Sequence, residues 1–169
     1  TATRQAILAF QNDYRLGIDF HYNGERNVNI WASSGTHGES WDILHADPAG
    51  NAVGNISLAL STWHHVAFVR EGDNWKLYIN GVVDVDETAP GAVVNDGQPM
   101  NLGRWGDAKT GFFQGHMDNF RVWNVARTSD EIHAGMASDL TGGSPDLVAN
   151  WTFNEGEGAT SVDDTPNAH

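Results

Sequence analysis

Cysteine is absent from the sequence, so neither disulfides nor thiolate metal ligands can hold the chain together. Basic side chains are scarce: nine Lys and Arg stand against 22 Asp and Glu, for a formal net charge of -13. This charge repels nucleic acid and anionic membrane surfaces and attracts cations. We therefore expect no nucleic-acid partner. Solubility in a salty or extracellular setting is a sufficient explanation of this acidity, and calcium affinity is the more specific alternative.

Long apolar runs are also missing. No stretch approaches the roughly 18 residues of a membrane-spanning helix, so we expect no membrane insertion. No basic-then-apolar leader opens the sequence, so an export signal would be one already removed. What the 169 residues do contain is seven Trp, seven Phe and 19 Gly. This composition indicates a globular domain with many tight turns, and an all-β fold is favoured.

Alternation of apolar and polar residues predicts most of the strands. One strand is predicted over 14–22, followed by an Asn23-Gly24 turn and a partner strand from Val28 to Ala32. Further strands are predicted at 63–70, 75–80, 115–123 and 147–153. Thr128 and Glu131 have the spacing of a capping box, which predicts one short helix at roughly 129–137.

Several segments resemble one known family when they are taken in order. They are Trp63-His64-His65-Val66-Ala67, Leu77-Tyr78-Ile79-Asn80-Gly81, the run from Gly115 to Asn124, Ala126-Arg127-Thr128 with Glu131-Ile132, and the run from Leu147 to Asp164. Together they resemble the bacterial laminin-G-like domains of the concanavalin A-like superfamily, which share their fold with pentraxins and legume lectins. The resemblance implies an all-β, antiparallel jelly-roll β-sandwich in a secreted or cell-surface protein.

We expect residues 1–169 to form a single laminin-G-like domain. Such domains usually begin with two strands ahead of the segment matched here by Ile7 to Ile18, and those strands are not evident in the sequence. We therefore expect that the sequence begins inside the domain, that this is a shortened member of the family, or that the chain has been cut. Without those strands, one edge of the sheet would be unpaired, and another part of the protein would have to cover it.

A metal site is suggested by Asp118. It shares the alternation phase of Phe120 and Val122, so its carboxylate is predicted to face the buried side and to need Arg70, Arg121 or a hard cation as partner. The resemblance implies that a structural calcium often joins this aspartate to loop oxygens. Asp164 and Asn167 would then be co-ligands; the alternative is that they belong to a solvated tail.

Ligand-binding residues are sought in the loops, where aromatic rings stand beside hydrogen-bonding groups. Sugars suit this mixture, because a pyranose stacks its C–H face on a ring while its hydroxyls bind polar groups. The alternative is that the rings fill the core beneath a loop. The candidates are Trp41, Asp42, His45 and Asp47 in one loop, and Trp105 and Asp107, with Phe112 and Phe113, in another.

The remaining aromatic residues are assigned to packing, because they fall in the apolar phase of strands; they are Trp63, His65, Trp75, Trp123 and Trp151. Asp84 and Asp86 resemble the paired carboxylates of glycoside hydrolysis only superficially, since no Glu-x-Asp-x-x-Glu motif is present. We interpret them as a satisfied or solvated strand end.

The leading functional hypothesis is a non-catalytic, calcium-stabilised module that binds carbohydrate or a glycosylated surface, as one part of a larger chain. The second is a structural or protein-interaction domain in an extracellular assembly. The third is an enzyme acting on polysaccharides, a lyase or a hydrolase.

Overall fold

The computed structural model describes residues 5–11, 17–22, 27–33, 54–93, 99–105, 111–140 and 144–167. The chain divides into two compact units, Thr1–Gln114 and Gly115–His169. The strands, in chain order, are β1 (Gln5–Gln11), β2 (Gly17–Tyr22), β3 (Val28–Ala32), β4 (Val66–Glu71), β5 (Asn74–Ile79), β6 (Val82–Thr88), β7 (Asn101–Leu102), β8 (Phe120–Trp123) and β9 (Leu147–Trp151), and the helix is α1 (Ser129–Gly135).

The first unit contains a sheet of four antiparallel strands in the order β3-β2-β1-β7. The predicted hairpin of β2 and β3 is confirmed, with Ile18 opposite Ala32 and Tyr22 opposite Val28. On the other side of β1, Leu8 lies opposite Leu102 of the short strand β7. Residues 12–16 and the turn at Asn23-Gly24 lie outside the described residues.

A second antiparallel sheet of the same unit has the order β4-β5-β6. It is the predicted meander, and β5 provides its most buried side chains, because Trp75, Leu77 and Ile79 alternate inward. They cluster with Val28, Ile30 and Ala32 of β3 to form the core of the first unit. The Trp75 indole nitrogen, which would be costly to bury alone, donates to the carbonyl oxygen of Ala89 at 2.9 Å.

The second unit pairs β8 with β9 in antiparallel register and carries α1. The predicted capping box is confirmed: the Thr128 hydroxyl accepts the Glu131 amide, and the Glu131 carboxylate accepts the Thr128 amide at 2.8 Å. These bonds lower the pKa of the Glu131 carboxyl. At the other end of the helix, the half-buried Arg121 donates to the carbonyl oxygens of Gly135 and Ser138.

The fold class is confirmed, since the described residues form antiparallel sheets with one short helix. In the described ranges, no helix is long and apolar enough to cross a membrane. The structure shortens several predicted elements: the strand at 63–70 begins only at Val66, the strand at 115–123 begins only at Phe120, the helix ends at Gly135, and the last strand ends at Trp151.

The packing assignment is confirmed for Trp75 and wrong for Trp63. Trp63 is 66% exposed, because β4 begins only at Val66 and the residues before it form a loop. Trp123 and Trp151 are half-buried; Trp151 stacks on Phe120, with ring centroids 5.7 Å apart.

Candidate functional site

One loop of the first unit brings an aromatic pair to the surface beside strand β1. Its two ends are tied to β1 by backbone hydrogen bonds: Gly103 donates to Ile7 at 3.0 Å, and Ala6 donates to Gly111 at 2.8 Å. Phe113 also donates to Gly103 at 2.8 Å, which closes the base of the loop. The residues on both sides of the loop therefore have fixed positions.

Trp105 folds back onto Gly111 at this base. A Cβ on Gly111 would lie 2.6 Å from two carbon atoms of the Trp105 ring, and the φ of Gly111 is +71°. Any larger residue would displace the indole, so glycine is needed here both for its backbone conformation and for the close approach. Trp105 is half-buried, and its buried Nε1–H has no hydrogen-bond partner in the described part of the chain.

Exposed residues stand next to Trp105 and Gly111 in the sequence at the same loop base. Phe112, next to Gly111, is 55% exposed. Arg104 is exposed, and its Nε donates to the Asn101 side chain at 3.1 Å, while the exposed Gln114 is held through its backbone amide by the Gln5 side chain at 2.8 Å. We call Arg104, Trp105, Phe112 and Gln114 the Trp105 surface. These four residues offer two aromatic rings, a cation and an amide at the base of one loop.

The other predicted ligand-binding residues cannot be placed on this surface. Trp41, Asp42, His45, Asp47 and Asp107 lie outside the described residues. The Trp105 surface therefore includes one of the six residues that the sequence analysis selected, together with Phe112, which it named as a neighbour.

The second unit contains the three predicted calcium ligands, and one premise of that prediction is wrong. Asp118 is exposed rather than turned toward a buried side. The cause is Asn119, whose φ of +53° interrupts the alternation before β8 begins at Phe120. One Asp118 oxygen accepts the Asn119 amide at 3.0 Å.

Asp164 and Asn167 lie in the acidic turn after β9 and make local contacts. Asp164 accepts the Thr152 hydroxyl at 2.8 Å, and the Asn167 side-chain nitrogen donates to the Val148 carbonyl oxygen at 2.8 Å. Both side chains are exposed, so carboxylate and amide oxygens, the ligand type that calcium prefers, face solvent there. Among the described residues, no group of three or more His, Cys, Asp or Glu side chains is arranged to hold a metal.

The buried carboxylate of this turn is Asp163, which the sequence analysis did not select. Its Oδ1 accepts the amides of Asn150 and Thr165, both at 2.9 Å, and its Oδ2 accepts the Thr165 hydroxyl. Protein donors thus satisfy both oxygens, as a buried carboxylate requires. The Asp-x-Thr spacing of 163–165 is the signal that could have identified it, because such residues often bond to backbone amides two positions on.

Comparison with known proteins identifies the family. The model of the family Laminin_G_3, described as the concanavalin A-like lectin/glucanases superfamily, matches residues 1–133. The chain belongs to the Laminin_G_3 family. No curated protein matches its sequence.

Two solved structures are similar to this Laminin_G_3 chain. A candidate carbohydrate-binding protein from Bacteroides ovatus has a TM-score of 0.69 at 16% identity, with 95% of this chain and 44% of the other covered. An S-layer domain-containing protein from Clostridium thermocellum has a TM-score of 0.42 at 19% identity, with 79% and 63% covered. The first likeness supports the fold, and this chain spans less than half the length of that relative.

Because the superfamily name covers glucanases, the two acids of β6 need an explanation. Asp84 Oδ1 accepts the backbone amides of Asn55 and Ile56 at 2.7 and 2.8 Å, and Asp86 bonds to Lys76 at 3.0 Å. A β-bulge separates Val83 and Val85 in their pairing with β5. Each acid therefore has a structural partner, which supports the interpretation of a strand end. Only Oδ1 of Asp84 is satisfied, since its Oδ2 is buried with no hydrogen-bond partner in the described part of the chain.

Proposed function

We propose that this Laminin_G_3 chain is a non-catalytic carbohydrate-binding module and that the Trp105 surface contacts the sugar. The observation that carries the proposal is the half-buried Trp105 ring, which is seated on Gly111 beside the exposed Phe112. A pyranose can stack its C–H face on such rings, and its hydroxyls can bond to the side chains of Arg104 and Gln114. Arg104 gives this surface a positively charged side chain, although the chain as a whole has a net charge of -13.

Pre-organisation of the surface supports the same function. The backbone bonds at the loop base hold Trp105 and Phe112 in place without a ligand, so less conformational entropy is lost when a sugar binds. The fold agrees with this role, since the similar protein from Bacteroides ovatus is a candidate carbohydrate-binding protein. We further propose that this carbohydrate-binding module lies outside the cell and is one part of a larger polypeptide.

Calcium is the second part of the proposal. Asp118, Asp164 and Asn167 would supply oxygen ligands in the second unit, where all three are exposed. A hard cation at this place would stabilise the turn after β9 and would not take part in any reaction. Its role is separate from the Trp105 surface, so calcium and sugar are to be tested independently.

A glycan array tests the function. The chain is expected to bind at least one class of glycan, and Trp105→Ala should abolish the signal because the stacking ring is lost. Gly111→Ala should weaken it, since the added Cβ displaces the ring while leaving it in the sequence. The matched control is Trp63→Ala, which removes a different exposed indole and should leave the signal unchanged.

The result of the glycan array distinguishes sugar binding at the Trp105 surface from the other possible functions. Absence of binding to every glycan, with and without chelator, would refute the carbohydrate part of the proposal. If the Trp105→Ala variant still bound the glycan, the sugar site would have to lie elsewhere on the module. Turnover of a bound polysaccharide would contradict the non-catalytic assignment.

A further inference from the structure

Three stretches of the first unit lack acidic side chains. Residues 1–12, 97–106 and 108–114 contain no Asp or Glu, although the whole chain has 22. The same stretches contain three of the nine Lys and Arg, and Asp107 is the acid between the last two of them. In a chain of net charge -13, this part of the sequence is therefore basic. Its cations are Arg4, Arg104 and Lys109.

Hydrogen bonds join the described parts of these stretches at the base of the loop that carries Trp105. The Ala6 amide donates to the Gly111 carbonyl oxygen at 2.8 Å, and the Gly103 amide donates to the Ile7 carbonyl oxygen at 3.0 Å. The loop base is therefore built from stretches that bring no negative charge to it, which distinguishes it from the acidic remainder of the chain.

Arg104 is the cation of the described loop base, and its guanidinium is held in place. Its Nε donates to the Asn101 side-chain oxygen at 3.1 Å, and the Asn101 side-chain nitrogen donates to the Pro99 carbonyl oxygen at 3.0 Å. Asn101 lies on β7 and is only 7% exposed, so it is a fixed acceptor. This bond uses the Nε group alone, so the two terminal nitrogens of the exposed Arg104 can turn to a ligand.

A guanidinium held in this way suits an anion better than a neutral hydroxyl. Its N–H groups can bond to two oxygens of one carboxylate or sulfate, and hydrogen bonds between charged partners are roughly twice as strong as neutral ones. Arg104 directly precedes Trp105, and the Cα atoms of neighbouring residues lie about 3.8 Å apart. A sugar stacked on the indole ring, or the next sugar of the same glycan, can therefore reach the Arg104 side chain.

We propose that the Trp105 surface selects acidic glycans and that Arg104 determines this selectivity by binding a carboxylate or sulfate group of the sugar. This inference rests on the proposed carbohydrate-binding function and adds the class of sugar to it. The net charge of -13 does not prevent such binding, because exposed charges more than about 8 Å apart are largely screened at physiological ionic strength. At contact distance, the fixed cation of Arg104 therefore outweighs acidic side chains elsewhere on the chain.

Isothermal titration calorimetry of the full chain with matched pairs of glycans tests this proposal. The probes are oligomers of galacturonate, of mannuronate and of sulfated galactose, each beside a neutral form of the same oligomer made by methyl esterification or by desulfation. The wild type is expected to bind at least one acidic probe at least about tenfold more tightly than its neutral form. The preferred pair shows whether Arg104 binds a carboxylate or a sulfate.

Variants of the Trp105 surface separate selectivity from sugar binding itself. Arg104→Gln should weaken binding of the acidic probe by about tenfold and leave binding of its neutral form unchanged. Arg104→Lys should restore part of the preference, because it keeps the charge and loses the planar fork. Trp105→Ala should weaken both forms alike, since acidic and neutral sugars stack on the ring in the same way.

Arg127→Gln is the matched control, because it removes one positive charge from the second unit, where Arg127 pairs with Glu131 at 3.3 Å. It should keep the acidic preference, and circular dichroism should show every variant folded. Equal binding of acidic and neutral forms, or a preference that Arg104→Gln retains, would overturn this inference and leave the proposed function standing. A preference lost to the same degree in Arg127→Gln would overturn the role of Arg104. A wild type that binds neither form of any glycan would overturn the proposed function together with this inference.

Discussion

The Asp84 carboxylate accepts the backbone amide of Ile56 at 2.8 Å across a sequence separation of 28 residues. The same oxygen accepts the Asn55 amide at 2.7 Å, and Gly54 donates to the Val28 carbonyl oxygen at 3.1 Å. Ile56 packs against the core of the first unit. The segment that begins at Gly54 therefore connects β3 of one sheet with β6 of the other.

Loss of this carboxylate should destabilise the chain. Asp84→Ala leaves two backbone amides without their charged acceptor, and we expect a loss of about 2–3 kcal/mol in the free energy of unfolding. Urea denaturation measures it. Asp86→Ala is the control on the same strand: its bond to Lys76 is exposed, so its loss should cost less than about 1 kcal/mol. Equal costs for the two variants would contradict the structural role of Asp84.

Gly54 should tolerate no side chain. A Cβ there would lie 2.3 Å from Asp84 Oδ2 and 2.5 Å from the Val28 backbone oxygen, so the strand itself would have to move. We expect Gly54→Ala to cost roughly 1–3 kcal/mol, as overpacking does in other interiors.

The same exchange at Gly135 provides the comparison for Gly54. Gly135 ends α1, and a Cβ there meets nothing within 4 Å. Gly135→Ala should be neutral or stabilise by up to about 1 kcal/mol, because alanine favours the helix. A Gly54→Ala variant as stable as Gly135→Ala would show that the segment at Gly54 is not held as the structure describes.

The sequence could predict the local elements of the fold but not the long-range contacts of Asp84 and Gly54. Period-two alternation located β5, and the capping-box spacing located the start of α1, because both are local patterns. The bond from Asp84 to Ile56 joins residues that no local pattern relates. Trp63 and Asp118 are misplaced because each predicted strand starts too early: β4 begins only at Val66, and β8 begins only at Phe120, after Asn119 with its positive φ.

Glu155 should make the stability of the chain depend on acid pH. Its carboxylate accepts the Val162 amide and the Ser161 hydroxyl, both at 2.8 Å, and these bonds lower the pKa of Glu155 below its ordinary value of 4.5. A pKa lowered by folding adds stability above the unfolded pKa, and this stability is lost as the pH falls through the folded pKa.

Thermal unfolding of Glu155→Gln at a series of pH values measures this effect. The variant should be less stable than the wild type at neutral pH, and the difference should shrink below about pH 4.5 as the wild-type carboxylate is protonated. Glu157→Gln is the control, since Glu157 is exposed two positions away. A difference that stays constant between neutral and acid pH would refute the assignment.

Calcium, if it binds as proposed, should raise the unfolding temperature in proportion to the logarithm of its concentration. Asp118→Asn and Asp164→Asn should each reduce the rise, because each removes a charged ligand, whereas Glu157→Gln should not. Differential scanning calorimetry with calcium, with magnesium and with chelator measures the effect. An unfolding temperature indifferent to calcium, or a full response in Asp118→Asn, would remove these ligands from the proposal.

The site was less predictable than the fold. Aromatic residues in a glycine-rich loop pointed to Trp105, but its seat on Gly111 depends on where both ends of the loop meet β1. In the acidic turn, the choice between Asp163 and Asp164 depends on which side chain turns inward. The structure turns Asp163 toward the Asn150 amide, and composition alone does not distinguish the two neighbours.

The most direct test of carbohydrate binding at the Trp105 surface is a nuclear magnetic resonance titration that follows the indole N–H signals of the seven Trp residues. The strongest glycan from the array is the ligand. The account predicts a saturable shift of the Trp105 signal, while the signal of the fully buried Trp75 stays in place. A Trp105 signal that does not move while another indole shifts, or a set of seven unchanged signals, would contradict it.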